Sequence, residues 1–157
     1  MEILEVKEDF TSLEVLAKNY VGDGEKYSLF KEYCPIQIKA KAADEPNSMV
    51  EPEDIEAFVS ANGDIPEGAC VAMNSGWQDK VGDASYRNDA DGNFTFPGFS
   101  KAATDMLMEM GAASIGVDTL SLDPGNSADF AVHYSWLPSG RFGIENLANL
   151  DDLPAIG

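Results

Sequence analysis

Residues 114–150 begin with a short apolar run, and several polar side chains follow it. The run, Ile115-Gly116-Val117, has the length and β-branched character of a buried strand. Ligand sites are commonly built where the chain leaves such a strand, so we expect a ligand site here. The candidate residues are Asp118, Ser121, Asp123, Glu145 and the single histidine of the sequence, His133.

Each candidate also has a purely structural interpretation. His133 lies between Val132 and Tyr134 and could be a hydrogen-bonded packing residue. Glu145 could be the first-turn acid of a short helix, where the helix dipole favours a negative charge. Aspartate and serine side chains form turns by bonding to nearby backbone, which would account for the other three candidates. Residue types alone leave both interpretations open.

Several motifs, in one order, resemble the cyclase family of metal-dependent hydrolases, which includes kynurenine formamidase and isatin hydrolase. The motifs are Asn74-Ser75-Gly76-Trp77, Phe96-Pro97-Gly98-Phe99-Ser100, DTLSLDPG at 118–125 and ENLANLDDLP at 145–154. The resemblance covers residues 35–157, and residues 1–34 match it weakly. The resemblance implies a swivelling β/β/α fold. We expect residues 1–157 to form a single domain of this type that lacks part of the family's fold.

The resemblance also implies a function. Family members bind one or two divalent metals and hydrolyse amide or lactam bonds, those of N-formylkynurenine and isatin among them. His133 and Glu145 match the later histidine and glutamate of the family's metal site, and an imidazole with a carboxylate suits Zn²⁺ or Mn²⁺. By the same resemblance, Ser121 and Trp77 belong to the substrate pocket. Trp77 by itself is equally typical of a packing residue.

The sequence departs from the family in two places. The family's earlier motif, H-x-G-T-H-x-D-x-P-x-H, supplies its other metal ligands and a catalytic histidine, and a sequence with one histidine cannot contain it. The family's closing Gly/Ser-rich segment is also missing after Gly157. We therefore assign no catalytic residue and expect metal binding to be weak or absent. Two hypotheses remain: a metal-dependent amidohydrolase, or a non-catalytic relative that serves as a binding or assembly module.

Composition restricts the partners. With 44% hydrophobic and 10% aromatic residues, the 157-residue chain has the composition of one globular domain. Ten basic and 28 acidic residues give a net charge of −18, which repels phosphate backbones and anionic lipid and excludes nucleic-acid and membrane partners. The acidic surface is either ordinary or an adaptation to high salt. Without a transmembrane-length apolar run or a signal peptide, a cytoplasmic location is expected.

Helical and strand patterns alternate, which predicts a mixed α/β domain. Missing family segments would leave apolar surface and a sheet edge uncovered, so we expect a homo-oligomer, a two-fold dimer. Cys34 and Cys70 lie in apolar runs and are expected to be buried structural thiols. The predicted strands are 1–6, 34–40, 69–74 and 113–117, and the predicted helices are 9–20, 52–62 and 101–110.

The charge leads to a testable prediction. Self-repulsion among the acidic side chains should destabilise the compact state at low ionic strength, where screening is weakest. The melting temperature is therefore expected to rise as sodium chloride is added from a low concentration, as followed by circular dichroism. A flat or falling melting temperature would contradict it, because the acidic residues would then be too widely spaced to interact.

Overall fold

The computed structural model describes residues 21–22, 25–26 and 32–157. The described strands are β1 (Val21–Gly22), β2 (Glu25–Lys26), β3 (Tyr33–Gln37), β4 (Met49–Val50), β5 (Cys70–Asn74), β6 (Gly98–Phe99), β7 (Ser114–Val117) and β8 (Phe142–Ile144). The described α-helices are α1 (Lys39–Asp44), α2 (Pro52–Asn62), α3 (Lys101–Glu109) and α4 (Ala131–Trp136). None of these helices is long and apolar enough to cross a membrane.

A parallel four-stranded sheet with the order β3-β5-β7-β8 forms the centre of the described part. Every residue of β5 and β7 is buried, as expected for strands covered on both faces. Helices α2 and α3 cover one face through Ile55, Phe58 and Leu107. The segment after β8 contributes Leu147 and Leu150 to a separate apolar cluster with Tyr33 and Cys70. The predicted mixed α/β class is confirmed.

Helix α2 begins and ends where the sequence predicts, and α3 begins at the predicted residue and ends one residue early. In α2, Pro52 occupies the first turn, and the side chains of Glu51 and Asp54 form a reciprocal capping box. In α3, the Ser100 side chain accepts a hydrogen bond from the backbone N–H of Ala103, 3.1 Å away. Gly111 follows α3 with a φ of 81°, the left-handed conformation that a helix-ending glycine adopts at low cost.

The predicted strand at 34–40 is wrong in its last part. The strand β3 ends at Gln37, and helix α1 begins at Lys39 in the run Lys39-Ala40-Lys41-Ala42-Ala43. Alanine and lysine are strong helix formers, and this preference prevails once the chain has left the sheet. The predicted strand at 1–6 and helix at 9–20 lie outside the described residues.

Two features restrict hydrogen bonding on the outer side of β3, the first strand in the order of the described sheet. Tyr33, the first residue of edge strand β3, exchanges backbone hydrogen bonds with Gly157: its N–H donates at 2.8 Å and its C=O accepts at 3.3 Å. Pro35 follows in the same strand and has no N–H to offer a further strand. Both features limit pairing along this edge.

Both cysteines are buried, Cys34 in edge strand β3 and Cys70 in the neighbouring strand β5. Neither thiol is solvent-accessible. Burial raises the pKa of Cys34 and of Cys70 to about 12. The expectation of buried structural thiols is confirmed, because a neutral, inaccessible thiol is a poor nucleophile.

Two glycine-containing segments cross closely beside the sheet. The Phe99 N–H donates to the Leu122 carbonyl and the Gly125 N–H donates to the Phe96 carbonyl, both at 2.8 Å. A Cβ atom placed on Gly98 would lie 2.4 Å from the backbone nitrogen of Pro124, far inside van der Waals contact. The segments 96–99 and 122–125, here called the backbone crossing, therefore require glycine at position 98.

Replacing Gly98 with alanine should destabilise the fold strongly. The added methyl group would meet backbone atoms that cannot turn away, and we expect a loss of about 3 kcal/mol in the free energy of unfolding. Gly140→Ala is the control: that site is open, and its φ of 81° alone should cost about 1 kcal/mol. Equal losses in urea denaturation would contradict the steric argument.

Candidate functional site

Polar side chains follow three neighbouring parallel strands at the edge where those strands end. Ser75 comes directly after β5, Asp118 directly after β7 and Glu145 directly after β8. Because the carboxyl ends of parallel strands share one edge of a sheet, the three positions lie along the same rim. This rim is where the sequence predicts a ligand site.

Asp118 links two of the loops on this rim. Its buried carboxylate accepts hydrogen bonds from the Ser75 hydroxyl at 2.7 Å, from the Ser75 N–H at 3.0 Å and from the Trp77 N–H at 3.0 Å. Burial raises the pKa of the Asp118 carboxyl, and the donors from Ser75 and Trp77 lower it by less. With its acceptor capacity used inside the protein, Asp118 acts as a tie between the loops after β5 and β7.

Asp123 holds the beginning of helix α4. Its carboxylate accepts hydrogen bonds from the backbone N–H groups of Val132, at 2.9 Å, and His133, at 3.1 Å. These groups belong to the first turn, where helical N–H groups have no partner within the helix. Residue Phe130, at the N-cap position, provides no side-chain hydrogen bond and has a φ of 50°. Asp123 therefore caps α4 from the loop before the helix, outside the residues directly adjacent to it.

His133 lies between two carboxylates. Its Nδ1 atom is 2.6 Å from Asp123 Oδ2, and its Nε2 atom is 3.6 Å from Glu145 Oε1. The first distance is that of a strong hydrogen bond and the second is too long for one. Two ligands about 2.1 Å from a tetrahedral ion would be separated by about 3.4 Å, so Nε2 and Oε1 fit two positions on one metal ion.

A cavity of about 640 Å³ opens beside these two atoms. Most of its wall is apolar, and the ring of Phe130 faces the His133 imidazole edge-on with 6.0 Å between the ring centroids. The lining residues are Leu120, Ser121, Phe130, His133, Tyr134, Leu137, Pro138 and Glu145. An adjoining cavity of about 240 Å³ shares Leu120, Ser121 and Phe130 with it.

Three of the four predicted site residues, Ser121, His133 and Glu145, line this one cavity. Trp77 does not line it. The Trp77 indole is buried, its Nε1–H donates to the Tyr86 carbonyl at 2.8 Å, and Lys80 Nζ lies 3.1 Å from the ring centroid. These contacts are those of a packed side chain whose face is covered by a cation.

Sequence reasoning missed the apolar wall. Phe130, Tyr134 and Leu137 flank the histidine at spacings of four and three, which is the repeat of one helix face, and all three are exposed. A helical apolar face that carries a histidine was a readable signal. It also missed the Asp123–His133 contact, for which the sequence holds no local signal.

Few side chains near the cavity could bind a metal ion. In residues 32–157 and the two short strands before them, no group of three or more His, Cys, Asp or Glu side chains is arranged to hold a metal ion. His133 and Glu145 are thus a pair of donors suitable for a divalent ion, without a third.

Comparison with known proteins agrees with the resemblance read from the motifs. The Cyclase family model matches residues 15–124, more than half of the chain. This match ends before His133 and Glu145. A curated isatin hydrolase from Roseibium aggregatum is 28% identical over 127 residues, which cover 78% of this chain and 48% of that protein. The chain spans about half the length of this relative.

Solved structures show the same fold. Isatin hydrolase A from Labrenzia aggregata, bound to benzyl benzoate, superposes with a TM-score of 0.75 at 32% sequence identity. The match covers 80% of this chain and 51% of that protein's chain. An isatin hydrolase bound to the product analogue thioisatinate gives 0.77 at 27% identity, covering 82% and 51%. Isatin hydrolase A from Ralstonia solanacearum gives 0.78 at 26% identity, covering 91% and 58%.

The tie made by Asp118 is testable. Asp118→Ala would leave the buried donors of Ser75 and Trp77 without their acceptor, which should lower the free energy of unfolding by about 3 kcal/mol. Asp91→Ala, at an exposed position, is the control and should change it by less than about 0.5 kcal/mol. Similar losses in the two variants, measured by chemical denaturation, would show that the loops are held by other contacts.

Proposed function

Because the chain belongs to the Cyclase family, we propose that it contributes to metal-dependent hydrolysis of amide or lactam bonds in small molecules. His133 and Glu145 are the proposed metal ligands. The observation that carries the proposal is the 3.6 Å separation of His133 Nε2 and Glu145 Oε1 at the mouth of an apolar cavity.

The donor pair favours Zn²⁺ or Mn²⁺. Neutral imidazole and carboxylate are ligands that both ions accept, and the absence of thiolate from the pair argues against softer metals. A divalent ion, when bound here, would acidify a water molecule and polarise a carbonyl oxygen. The protein's own contribution would be to hold the two donors at a fixed distance beside an apolar wall.

The cavity wall supports an aromatic substrate. Phe130, Tyr134 and Leu137 offer apolar contact area, and the Ser121 side chain on the same wall is a polar group that could orient a substrate. The relatives act on isatin by name, and two were solved with benzyl benzoate and thioisatinate, which contain aromatic rings. Isatin-like lactams and N-formylkynurenine-like amides are the proposed substrate class. Trp77 is left out of this proposal because its face is covered by Lys80.

Metal binding by this chain should be weak. Tight catalytic zinc sites generally use three protein ligands, and His133 and Glu145 are two. The sequence also holds no second histidine to act as a general base. We therefore expect the purified chain to retain little metal and to hydrolyse neither isatin nor N-formylkynurenine measurably.

The alternative is a non-catalytic binding or assembly module. The lack of a third donor near His133 and Glu145 in the described part of the chain favours it. Exposed Phe130, Tyr134 and Leu137 are also compatible with association. The two-fold homodimer stays a prediction, which light scattering at micromolar concentration would test, and so does the cytoplasmic location.

A metal titration tests the proposal. Added Zn²⁺ or Mn²⁺ should bind with low affinity, and His133→Ala and Glu145→Ala should each abolish that binding in calorimetry. Glu109→Ala, at an exposed position on α3, is the control and should bind as the wild type does.

The outcomes separate the two functions. Metal binding that is insensitive to both substitutions would refute the assignment of His133 and Glu145 as ligands. Stoichiometric metal in the purified protein, together with turnover of isatin that His133→Ala abolishes, would show that the chain is a competent hydrolase and would contradict the expected inactivity.

A further inference from the structure

We propose that Asp123 is a positioning residue that keeps the proton of His133 on Nδ1 and leaves the Nε2 lone pair free toward Glu145. The role attributed to Asp123 is therefore distinct from that of a ligand. It concerns the tautomer and orientation of the imidazole and can be tested without any metal present.

The contacts of Asp123 show how the His133 imidazole is held in place. One carboxylate oxygen, Oδ2, is 2.6 Å from His133 Nδ1 and 3.1 Å from the His133 backbone nitrogen. The other oxygen, Oδ1, is 2.9 Å from the backbone nitrogen of Val132. Backbone and side chain of the same histidine are thus held by one buried group, so the ring has little freedom to turn about its first side-chain bonds.

The direction of the hydrogen bond follows from the chemistry of the pair. An ionised carboxylate can only accept, so a bond at 2.6 Å requires a proton on Nδ1. A neutral imidazole carries one ring proton, and a proton on Nδ1 leaves Nε2 with a lone pair. That lone pair lies on the side of the ring where Glu145 Oε1 is 3.6 Å away.

Asp123 is itself held by the backbone crossing. On one side of it the Leu122 carbonyl accepts from Phe99, and beyond Pro124 the Gly125 N–H donates to Phe96. The Asp123 side chain is buried, so water does not compete for its oxygens. A carboxylate fixed on both sides and shielded from water defines a single position for the imidazole that it contacts.

The consequence for ligand binding rests on the proposed function. A histidine can bind a metal through Nε2 only when that nitrogen has no proton, and a carboxylate on the other nitrogen enforces this and raises the basicity of the ligand. Removing such a carboxylate typically lowers metal affinity about 10- to 100-fold. Asp123 should have this effect on a site formed by His133 and Glu145.

Nitrogen NMR of the imidazole is the direct test. The sequence contains one histidine, so an untagged protein labelled with ¹⁵N-histidine gives signals from one ring. With the imidazole in its neutral form, the wild type should show a protonated Nδ1 and an unprotonated Nε2. A wild-type spectrum with the proton mainly on Nε2 would overturn the proposal without the need for any variant.

A matched pair of substitutions separates positioning from stability. Asp123→Asn replaces one acceptor oxygen with a donor, so the ring should lose its single tautomer and populate the form with Nε2 protonated. Asp118→Asn is the control, since Asp118 is equally buried and ties two loops but does not contact His133. The control should lower the melting temperature while leaving the imidazole signals unchanged. An unchanged tautomer in Asp123→Asn, or an equal change in the control, would overturn the proposal.

Titration with Zn²⁺ links the tautomer to binding. Affinity should fall about 10- to 100-fold in Asp123→Asn and stay at the wild-type value in Glu109→Ala, the exposed control variant on α3. If the wild type shows the expected tautomer but zinc does not perturb the imidazole, the proposed metal site fails while the positioning role of Asp123 stands. If zinc binds equally to both variants, Asp123 is not a positioning residue for that site.

Discussion

The backbone crossing of residues 96–99 and 122–125 is the constraint on which the candidate site depends. Glycine at 98 allows the two backbones to touch, and hydrogen bonds on each side keep them together. The crossing fixes Asp123, Asp123 caps the first turn of α4, and α4 carries His133. The contact between these two backbone segments therefore sets the position of the His133 imidazole. The two motifs that contain the segments are separate in the sequence but pack against each other in the fold.

Much of the fold could be predicted because its signals are local. Helix α2 is specified by a proline in its first turn and acids around it, and α3 by a serine cap and a terminal glycine. Helix α4 and strand β8 were not predicted. The cap of α4 comes from Asp123, which lies outside the adjacent residues that form a capping motif, and its N-cap position is a strained Phe130. Strand β8 is three residues long, too short for a periodic pattern.

The candidate site was predictable in part, because motifs identify residues but do not show which neighbours cover them. His133 and Glu145 were found through motifs, and the fold brings them together because the carboxyl end of β8 and the helix between β7 and β8 share one rim. Trp77 follows a strand of the same sheet and matches a motif equally well, but the cation of Lys80 covers its ring. Which face of a side chain is covered depends on neighbours that a motif does not contain.

The two buried cysteines can be used to measure how often the protein opens around β3 and β5. Cys34 and Cys70 lie on paired strands, inaccessible, with pKa values far above neutrality. An alkylating reagent needs both access and a thiolate, so it can act only while a local opening exposes a thiol. Because the sequence has no other thiol, the rate of labelling in the absence of denaturant measures how often the packing over β3 and β5 opens.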